Sequence, residues 1–282
     1  MAFQQNTTST AGHSQAWLGL QGRVCVVTGA GSGIGAAIAQ NLSVAGARVA
    51  LLDRAADAAE QVASKLRSAG GEAIAIRCDV SVPDDIAAAA QQVRTALGPC
   101  NVLVNNAGLL RAAGLMEVTP ADWNAVLAIN LTGYLLCSQA FGADMLAQSQ
   151  GSIVHVASIS ALHPQTRSGS YSPSKAGVLL LSRQMAAEWG PQGVRSNAVC
   201  PGMIRTALSA KFYEEPGFEE RRAAVTANRR IGEPQDIADP VTFLASERSR
   251  YMNGAELLVD GGLGCMLMDM VPRPGFNATA HA

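Results

Sequence analysis

The stretch that decides the fold is Thr28-Gly29-Ala30-Gly31-Ser32-Gly33-Ile34-Gly35, between an aliphatic run at 24–27 and a segment with helical spacing at 33–45. Glycines let a chain turn sharply after a strand and let a pyrophosphate approach the backbone, and the following helix start offers unpaired N–H groups to the anion. A strict G-x-G-x-x-G pattern from Gly29 fails because position 34 is Ile, so the pattern is T-G-x-x-x-G-x-G. The turn predicts a nucleotide-binding unit of strand, turn and helix.

Aliphatic runs and helical segments alternate along the rest of the chain. Candidate strands lie at 24–27, 48–52, 73–76, 102–104, 153–156, 195–199 and 257–259, and helical segments at about 33–45, 55–69, 83–97, 119–148, 171–189 and 234–246. This alternation predicts βαβ units and a parallel sheet with helices on both faces, which is an α/β fold of the Rossmann type. We expect the ligand at the carboxyl ends of the strands, several of which end at a turn or capping residue, namely Gly29, Asp53, Asp79, Asn105 and Ser158.

Composition excludes several classes of protein. The 282 residues carry a formal net charge of −1, which argues against nucleic acid as the main partner. Residues 1–15 are polar, unlike a signal peptide, and we find no apolar run of 18 residues that would predict a membrane-spanning helix. The cysteines have neither C-x-x-C pairing nor zinc-ligand spacing, so we expect no metal site and free thiols in the cytoplasm, at Cys25, Cys78, Cys100, Cys137, Cys200 and Cys265.

The chain is predicted to form a single Rossmann-type catalytic domain at 21–262, with a flexible arm at 1–20 and a C-terminal extension at 263–282. The segment 202–230 interrupts the alternation and contains Leu208, Phe212, Tyr213 and Phe218 among charged residues. A long segment beside the ligand edge is often a mobile cover over the substrate. The alternative, an ordinary pair of surface helices, stays open.

Asp53 indicates which nucleotide binds. It ends the second candidate strand, 18 residues after Gly35, close to the separation expected for a ribose-binding acid. A carboxylate accepts hydrogen bonds from ribose hydroxyls and repels a 2′-phosphate, so NAD is favoured over NADP. Ser32, where a basic residue would precede Gly33, points the same way. Arg54 weakens the inference because a guanidinium can bind a 2′-phosphate.

Tyr171 and Lys175 are four residues apart and therefore share one face of the helix predicted at 171–189. A free tyrosine has a pKa of about 10 and is a poor base at neutral pH. A nearby ammonium group favours the phenolate and lowers that pKa, so the pair could act as a general acid and base. The Y-x-x-x-K pattern alone is also typical of a solvated helix face, but Ser158 at the ligand edge and Asn130 in the long helix strengthen the catalytic interpretation.

These motifs occur in one order, together with Asn-Asn-Ala-Gly at 105–108, Pro-Gly at 201–202 and Val-Asp-Gly-Gly at 259–262. In this respect the chain resembles the short-chain dehydrogenase/reductase family over residues 20–262. The resemblance implies a seven-stranded parallel sheet in the order 3-2-1-4-5-6-7. It also implies a homotetramer, with the helices near 119–148 and 171–189 and the last strand at the interfaces. We expect the apolar tail after Gly262 to pack at such an interface.

The resemblance also implies catalytic roles. Tyr171 would exchange a proton with the substrate oxygen, Lys175 would lower the pKa of Tyr171 and hold the nicotinamide ribose, and Ser158 would bind the carbonyl or alkoxide. Asn130 would position a water that links Lys175 to solvent.

Other positions are implied to contact the cofactor or the substrate. Cofactor contacts are expected from Gly29, Ser32, Gly33, Ile34, Gly35, Asp53, Arg54, Asp79, Val80, Asn106, Ala107, Gly108, Tyr171, Lys175, Pro201, Gly202, Ile204 and Thr206. Of these, Asp79 and Val80 would flank the adenine, and Ile204 and Thr206 would hold the nicotinamide carboxamide. Substrate contacts are expected from Ser160, His163, Met203, Leu208 and Phe212.

The sequence thus predicts an NAD-dependent oxidoreductase that transfers hydride between nicotinamide and a small secondary alcohol or ketone. The alternative is an NADPH-dependent 3-oxoacyl-carrier-protein reductase, which Asp53 disfavours. That enzyme would need a basic patch for its acidic carrier, and the sequence offers only Arg111, Arg205 and arginine pairs at 221–222 and 229–230. A non-catalytic nucleotide-sensing protein is the third possibility, although such proteins usually lack the tyrosine or the lysine.

Overall fold

Seven parallel strands form one sheet in the order β3-β2-β1-β4-β5-β6-β7 in the computed structural model, which describes residues 17–206, 213–271 and 275. This confirms the predicted Rossmann fold and strand order. The strands are β1 Val24–Thr28, β2 Arg48–Asp53, β3 Glu72–Arg77, β4 Val102–Asn105, β5 Gly151–Val156, β6 Val194–Pro201 and β7 Glu256–Val259.

Each predicted helical segment contains a helix. The helices are α1 Gly33–Val44, α2 Ala56–Ser68, α3 Pro83–Ala96, α4 Pro120–Leu127, α5 Gly133–Ala147, α6 Tyr171–Trp189, α7 Phe218–Ala224 and α8 Pro234–Ala245. The helix predicted at 119–148 is not continuous, because a π-helical turn at Ala128–Thr132 separates α4 from α5. Helical spacing alone gives no sign of such a turn, and π-turns occur frequently at functional sites.

The sheet is buried on both faces, which explains its aliphatic strands. In β1, Cys25 and Val27 pack in the cluster formed with α1, α2 and α8, whereas Val24 and Val26 pack in the cluster formed with α3 and α5. A parallel strand covered on both sides reads as a continuous apolar run rather than an alternating one.

The apolar helix that follows β4 belongs to this core. Among the described residues, Pro120–Ala147 is the one helical stretch long and apolar enough by composition to cross a membrane, with a mean hydropathy of 1.3 and 44% of that window buried. Cys137, Phe141 and Met145 of α5 are fully buried against the sheet. This packing is that of a core helix.

The predicted arm at 1–20 falls mostly outside the described residues, but its last residues are packed. Leu20 is buried in the core, and the N–H group of Glu247 donates to the Leu18 carbonyl at 3.2 Å. The Arg248 guanidinium lies 4.9 Å from the Trp17 ring centroid. The chain is therefore held in place from residue 17, where the sequence predicts a loose segment.

Candidate active site

The parallel register brings the predicted site residues to one edge of the sheet. Thr28 at the end of β1 lies beside Leu52 of β2, and Asn105 at the end of β4 lies beside His155 of β5. Val156 of β5 in turn lies beside Val199 of β6. The residues that follow these strands therefore lie close to one another at the carboxyl edge of the sheet.

The opposite edge of the sheet has a cavity of about 360 Å³ between Arg23, Asn101 and Arg195. No residue predicted to bind cofactor or substrate lines that cavity. We therefore place the chemistry at the carboxyl edge, where the predicted residues converge.

The glycine turn has the tight geometry that its sequence predicts. Gly29 and Gly33 adopt positive φ angles of 64° and 53°, which favour glycine. A Cβ atom on Gly35 would lie 2.2 Å from the carbonyl oxygen of Gly29, a contact that excludes any side chain. Asn106, which directly follows β4, also holds the turn in place. Its side-chain amide donates to the carbonyls of Thr28 and Gly29 at 3.0 Å each.

These residues fit the pyrophosphate and ribose of a dinucleotide. The N-cap residue Ser32 makes no side-chain capping bond, so it leaves the first-turn N–H groups of α1 without that partner. The Gly31 N–H donates to Asp53 Oδ2 and the Ala55 N–H donates to Asp53 Oδ1, both at 2.9 Å. Each carboxylate oxygen keeps a lone pair, so Asp53 can still accept bonds from ribose hydroxyls. Thr206 lies across the turn, 3.4 Å from where a Cβ of Gly33 would be.

Three further cofactor candidates follow β2 and β3 at the same edge of the sheet. Asp79 Oδ1 accepts bonds from the Ser81 N–H and hydroxyl at 2.9 and 2.6 Å, which holds the pKa of the Asp79 carboxyl below its ordinary value. Val80 packs on the start of α5, with its carbonyl oxygen 2.7 Å from where a Cβ of Gly133 would be. Arg54 is exposed and has no hydrogen bond or ion pair among the described residues.

Ser158, Tyr171 and Lys175 lie together at the ends of β5 and α6. Ser158 follows β5 and lies close enough to Tyr171, the first residue of α6, for its hydroxyl to lower the pKa of the phenol. One turn later, Lys175 places its Nζ atom 5.9 Å from the Tyr171 ring centroid. The Nζ atom donates to the Val156 carbonyl at 2.8 Å and to the Tyr134 hydroxyl at 3.3 Å.

The predicted lowering of the Tyr171 pKa by Lys175 stays a prediction. Burial raises the pKa of Tyr171, and the neighbouring Ser158 hydroxyl acts in the opposite direction. Burial also lowers the pKa of Lys175 to about 7, so its ammonium form is itself destabilised.

Asn130 lies in the π-turn and clamps a neighbouring loop. Its Oδ1 atom accepts from the Leu109 N–H at 2.8 Å, and its Nδ2 group donates to the Leu109 carbonyl at 2.9 Å and to the Ser174 hydroxyl at 3.1 Å. Both amide donors are thus used inside the protein. Asn130 thereby links the loop that follows β4 to α6, the helix that carries Tyr171 and Lys175.

Three polar residues to which sequence reasoning assigned no role support this site. Tyr134 receives the bond from Lys175 and donates to the Val156 carbonyl at 3.1 Å, and its position four residues after Asn130 could have signalled it. Thr28 Oγ1 accepts from the N–H groups of Asn106 and Ala107 at 3.0 and 3.1 Å. Asn105 Nδ2 donates to the Ser138 hydroxyl at 3.0 Å. Thr28 and Asn105 are part of recognised motifs, but their types alone do not reveal these partners.

The predicted substrate residues are only partly brought together. The buried Ser160 donates its N–H to Ser158 Oγ at 3.1 Å, while His163 is exposed. Met203 follows β6 at the same edge, and Leu208 and Phe212 lie outside the described residues. In the described part of the chain, no group of three His, Cys, Asp or Glu side chains is placed to hold a metal ion.

Comparison with known proteins places this geometry among oxidoreductases. Residues 29–264 match a family model described as enoyl-(acyl carrier protein) reductase. The chain is 40% identical over 243 residues to D-threitol dehydrogenase of Mycolicibacterium smegmatis, covering 86% of this chain and 93% of that protein. It is 41% identical over 248 residues to galactitol 2-dehydrogenase (L-tagatose-forming) of Cereibacter sphaeroides, covering 86% and 95%.

A solved structure is similar over nearly its whole length. The crystal structure of a gluconate 5-dehydrogenase from Burkholderia cenocepacia, in complex with NADP and tartrate, has a TM-score of 0.85 and 32% sequence identity. The similarity covers 90% of this chain and 99% of that one.

Proposed function

Because the chain belongs to the short-chain dehydrogenase/reductase family of oxidoreductases, we propose that it transfers a hydride between NAD and a secondary alcohol or its ketone. The observation that carries the proposal is the placement of Ser158 beside Tyr171, with Lys175 one helical turn away at the carboxyl edge of the sheet. The names of the polyol dehydrogenases among its relatives support an alcohol or polyol as the substrate.

In the oxidising direction, Ser158 and Tyr171 would hold the substrate hydroxyl between them. Tyr171, as its phenolate, takes the hydroxyl proton, and the Ser158 hydroxyl donates a hydrogen bond to the developing alkoxide. A nicotinamide bound at the glycine turn would supply the acceptor for the hydride that leaves the alcohol carbon as the carbonyl forms. A protonated Lys175 stabilises the phenolate, and its pKa of about 7 allows it to gain and lose a proton near neutral pH.

The preference for NAD rests on Asp53. Its carboxylate lies beside the glycine turn, held by the Gly31 N–H, and would repel a 2′-phosphate at that position. The exposed Arg54 acts in the other direction, and the related gluconate 5-dehydrogenase was crystallised with NADP. Asp53 is held in place by two backbone bonds whereas Arg54 is not, so we assign the greater effect to Asp53.

A screen of NAD and NADP reduction over a panel of alcohols tests the proposal. The panel includes D-threitol, galactitol, D-gluconate and cyclohexanol, and formation of reduced nicotinamide is followed by absorbance. We expect reduction of NAD by at least one panel member, with kcat/KM for NAD at least about tenfold above that for NADP. Reduction with NADP alone would refute the cofactor assignment, and no reduction with any alcohol would refute the reaction.

Four of the six arginines that could form a basic patch for a carrier protein are paired with carboxylates, among them Arg221 with Glu215. Arg205 pairs with Glu219 and Glu233, and Arg230 pairs with Asp236. Arg111 likewise pairs with Asp122. Paired arginines of this kind offer little net charge to an acidic carrier protein.

We also propose that the protein is a cytoplasmic homotetramer. Leu135 of α5, Leu180 of α6 and Leu258 of β7 are exposed on the elements that the family resemblance puts at interfaces. Leu267, Met268 and Met270 add exposed apolar surface in the C-terminal tail. Five unpaired cysteines are buried, which fits a reducing compartment.

A further inference from the structure

An arginine in the segment after β6 is held by aromatic and sulfur groups. Arg222 of α7 is half-buried, and its guanidinium carbon lies 5.5 Å from the Tyr213 ring centroid and 5.4 Å from that of Phe218. Its Nε–H donates to the Met203 sulfur and an Nη1–H donates to the Tyr213 hydroxyl, both at 3.1 Å. The side chain is therefore fixed in position by these three residues, which with Arg222 we call the Arg222 cluster.

Arg222 differs from its neighbours because it has no acidic partner among the described residues. Arg221 pairs with Glu215, and Arg205 pairs with Glu219 and Glu233. A guanidinium has five N–H donors, and the two bonds to Met203 and Tyr213 leave three of them, including both on Nη2. A thioether is a weak acceptor, so a half-buried positive charge remains without a counterion.

The cluster lies on the substrate side of the site. Val199 of β6 is paired with Val156 of β5, and the Ala157 N–H donates to the Val199 carbonyl at 2.8 Å. Ser158 and Met203 thus leave neighbouring strands at the same edge of the sheet. Met203, which the family resemblance puts at the substrate, is the residue to which Arg222 is bonded.

We propose that Arg222 binds an oxyanion on the substrate, a carboxylate or a phosphate, so that the enzyme acts on acidic hydroxy compounds in preference to neutral alcohols. The proposal rests on the function proposed above. A guanidinium matches both oxyanions with paired N–H donors, and the bonds from Nε and Nη1 to Met203 and Tyr213 hold its plane in one orientation. The substrate anion supplies the counterion that the described residues do not.

The test measures binding and turnover of three compounds of similar shape at constant ionic strength. D-Gluconate carries a carboxylate, D-sorbitol 6-phosphate carries a phosphate, and D-sorbitol is neutral. Calorimetry in the presence of NADH gives each affinity, and NAD reduction gives each kcat/KM. The variants are Arg222→Gln, Arg222→Lys and, as the matched control on the same helix, Arg221→Gln.

We expect the wild type to bind either D-gluconate or D-sorbitol 6-phosphate more tightly than D-sorbitol. The compound that binds more tightly identifies the anion as a carboxylate or a phosphate. Arg222→Gln should weaken affinity for that compound about 10- to 100-fold and leave D-sorbitol unchanged, Arg222→Lys should lie between, and Arg221→Gln should have no effect. Equal affinity of the wild type for all three compounds would overturn the inference. Equal loss for all three in Arg222→Gln would also overturn it, because that pattern indicates a structural role. Selective anion binding without turnover would support the inference and count against the reaction.

Discussion

Burial controls the proton chemistry of Lys175 more than any charged neighbour does. Its Nζ atom is enclosed by the Val156 carbonyl and the Tyr134 hydroxyl, and burial lowers its pKa from 10.5 to about 7. Sequence spacing placed Lys175 beside Tyr171 correctly, but spacing carries no information on burial. The direction of a pKa shift depends on that burial.

The lowered pKa of Lys175 predicts how stability depends on pH. Between pH 7 and 10.5 the unfolded chain, with an ordinary lysine, binds more protons than the native protein. The free energy of unfolding should therefore rise with pH, by up to about 1.4 kcal/mol per pH unit from this group. Urea unfolding, measured in steps of about half a pH unit from about pH 7 to about pH 8, should show this rise.

The matched variants are Lys175→Met, which should lose the rise, and Lys65→Met on the exposed face of α2, which should keep it. Measurements stay at or below about pH 8 because burial raises the pKa of five cysteine thiols, including those of Cys25 and Cys78 from 9.0 to about 12, which lowers stability at higher pH. Identical pH profiles for the wild type and Lys175→Met would contradict this prediction.

The carboxylate of Asp53 predicts a change in cofactor preference. Asp53→Asn keeps an oxygen for the Gly31 N–H but removes the negative charge that repels a 2′-phosphate. The ratio of kcat/KM for NAD to that for NADP should fall by about tenfold or more. Asp57→Asn, which removes the same charge in the first turn of α2, should leave the ratio unchanged. An unchanged ratio in Asp53→Asn would show that another residue selects the cofactor.

At the scale of elements, the π-turn between α4 and α5 connects the site to the core. It lets Asn130 point both at the backbone of Leu109 and at Ser174, while Tyr134 reaches Lys175 from the next turn. The sequence predicted Asn130 as a site residue, but it also predicted one unbroken helix through that position. The break depends on partners in a loop and in α6, which local periodicity does not reveal.

Asn130→Ala should therefore destabilise the fold as well as the site. It leaves the Leu109 N–H and carbonyl without their side-chain partners, at a cost of about 2–4 kcal/mol in the free energy of unfolding. Urea unfolding measures this loss. Asn124→Ala, at an exposed position on α4, is the control and should have little effect. An Asn130→Ala protein with the same free energy of unfolding as the wild type would argue against a stabilising role for the bonds between Asn130 and Leu109.

At the scale of the whole molecule, local patterns predicted the sheet better than they predicted its connections. All seven aliphatic runs became strands, because buried parallel strands must be continuously apolar. The strand order came from the family resemblance. The Tyr134–Lys175 bond joins residues far apart in sequence, and the Arg222 cluster joins Met203 to a helix that the aliphatic pattern did not show. Such contacts are set by tertiary packing.

The proposed tetramer gives a prediction at the same scale. Leu180 of α6 is 65% exposed, and Leu180→Arg should place a charge in an apolar interface and produce a smaller species by light scattering. Leu115→Arg is the control, since Leu115 is 76% exposed but lies outside the proposed interface elements. A tetramer that persists in Leu180→Arg at low concentration would exclude α6 from the interface.

The most direct measurement of the central claim is the kinetics of Tyr171→Phe, which removes only the phenol hydroxyl beside Ser158. With an alcohol that the wild type oxidises, kcat should fall about 10²- to 10⁴-fold, because the general acid and base is lost. The Kd for NADH, measured by fluorescence on the same preparation, should stay unchanged. Near-normal turnover in Tyr171→Phe would contradict the assignment of Tyr171 as the proton-transferring residue.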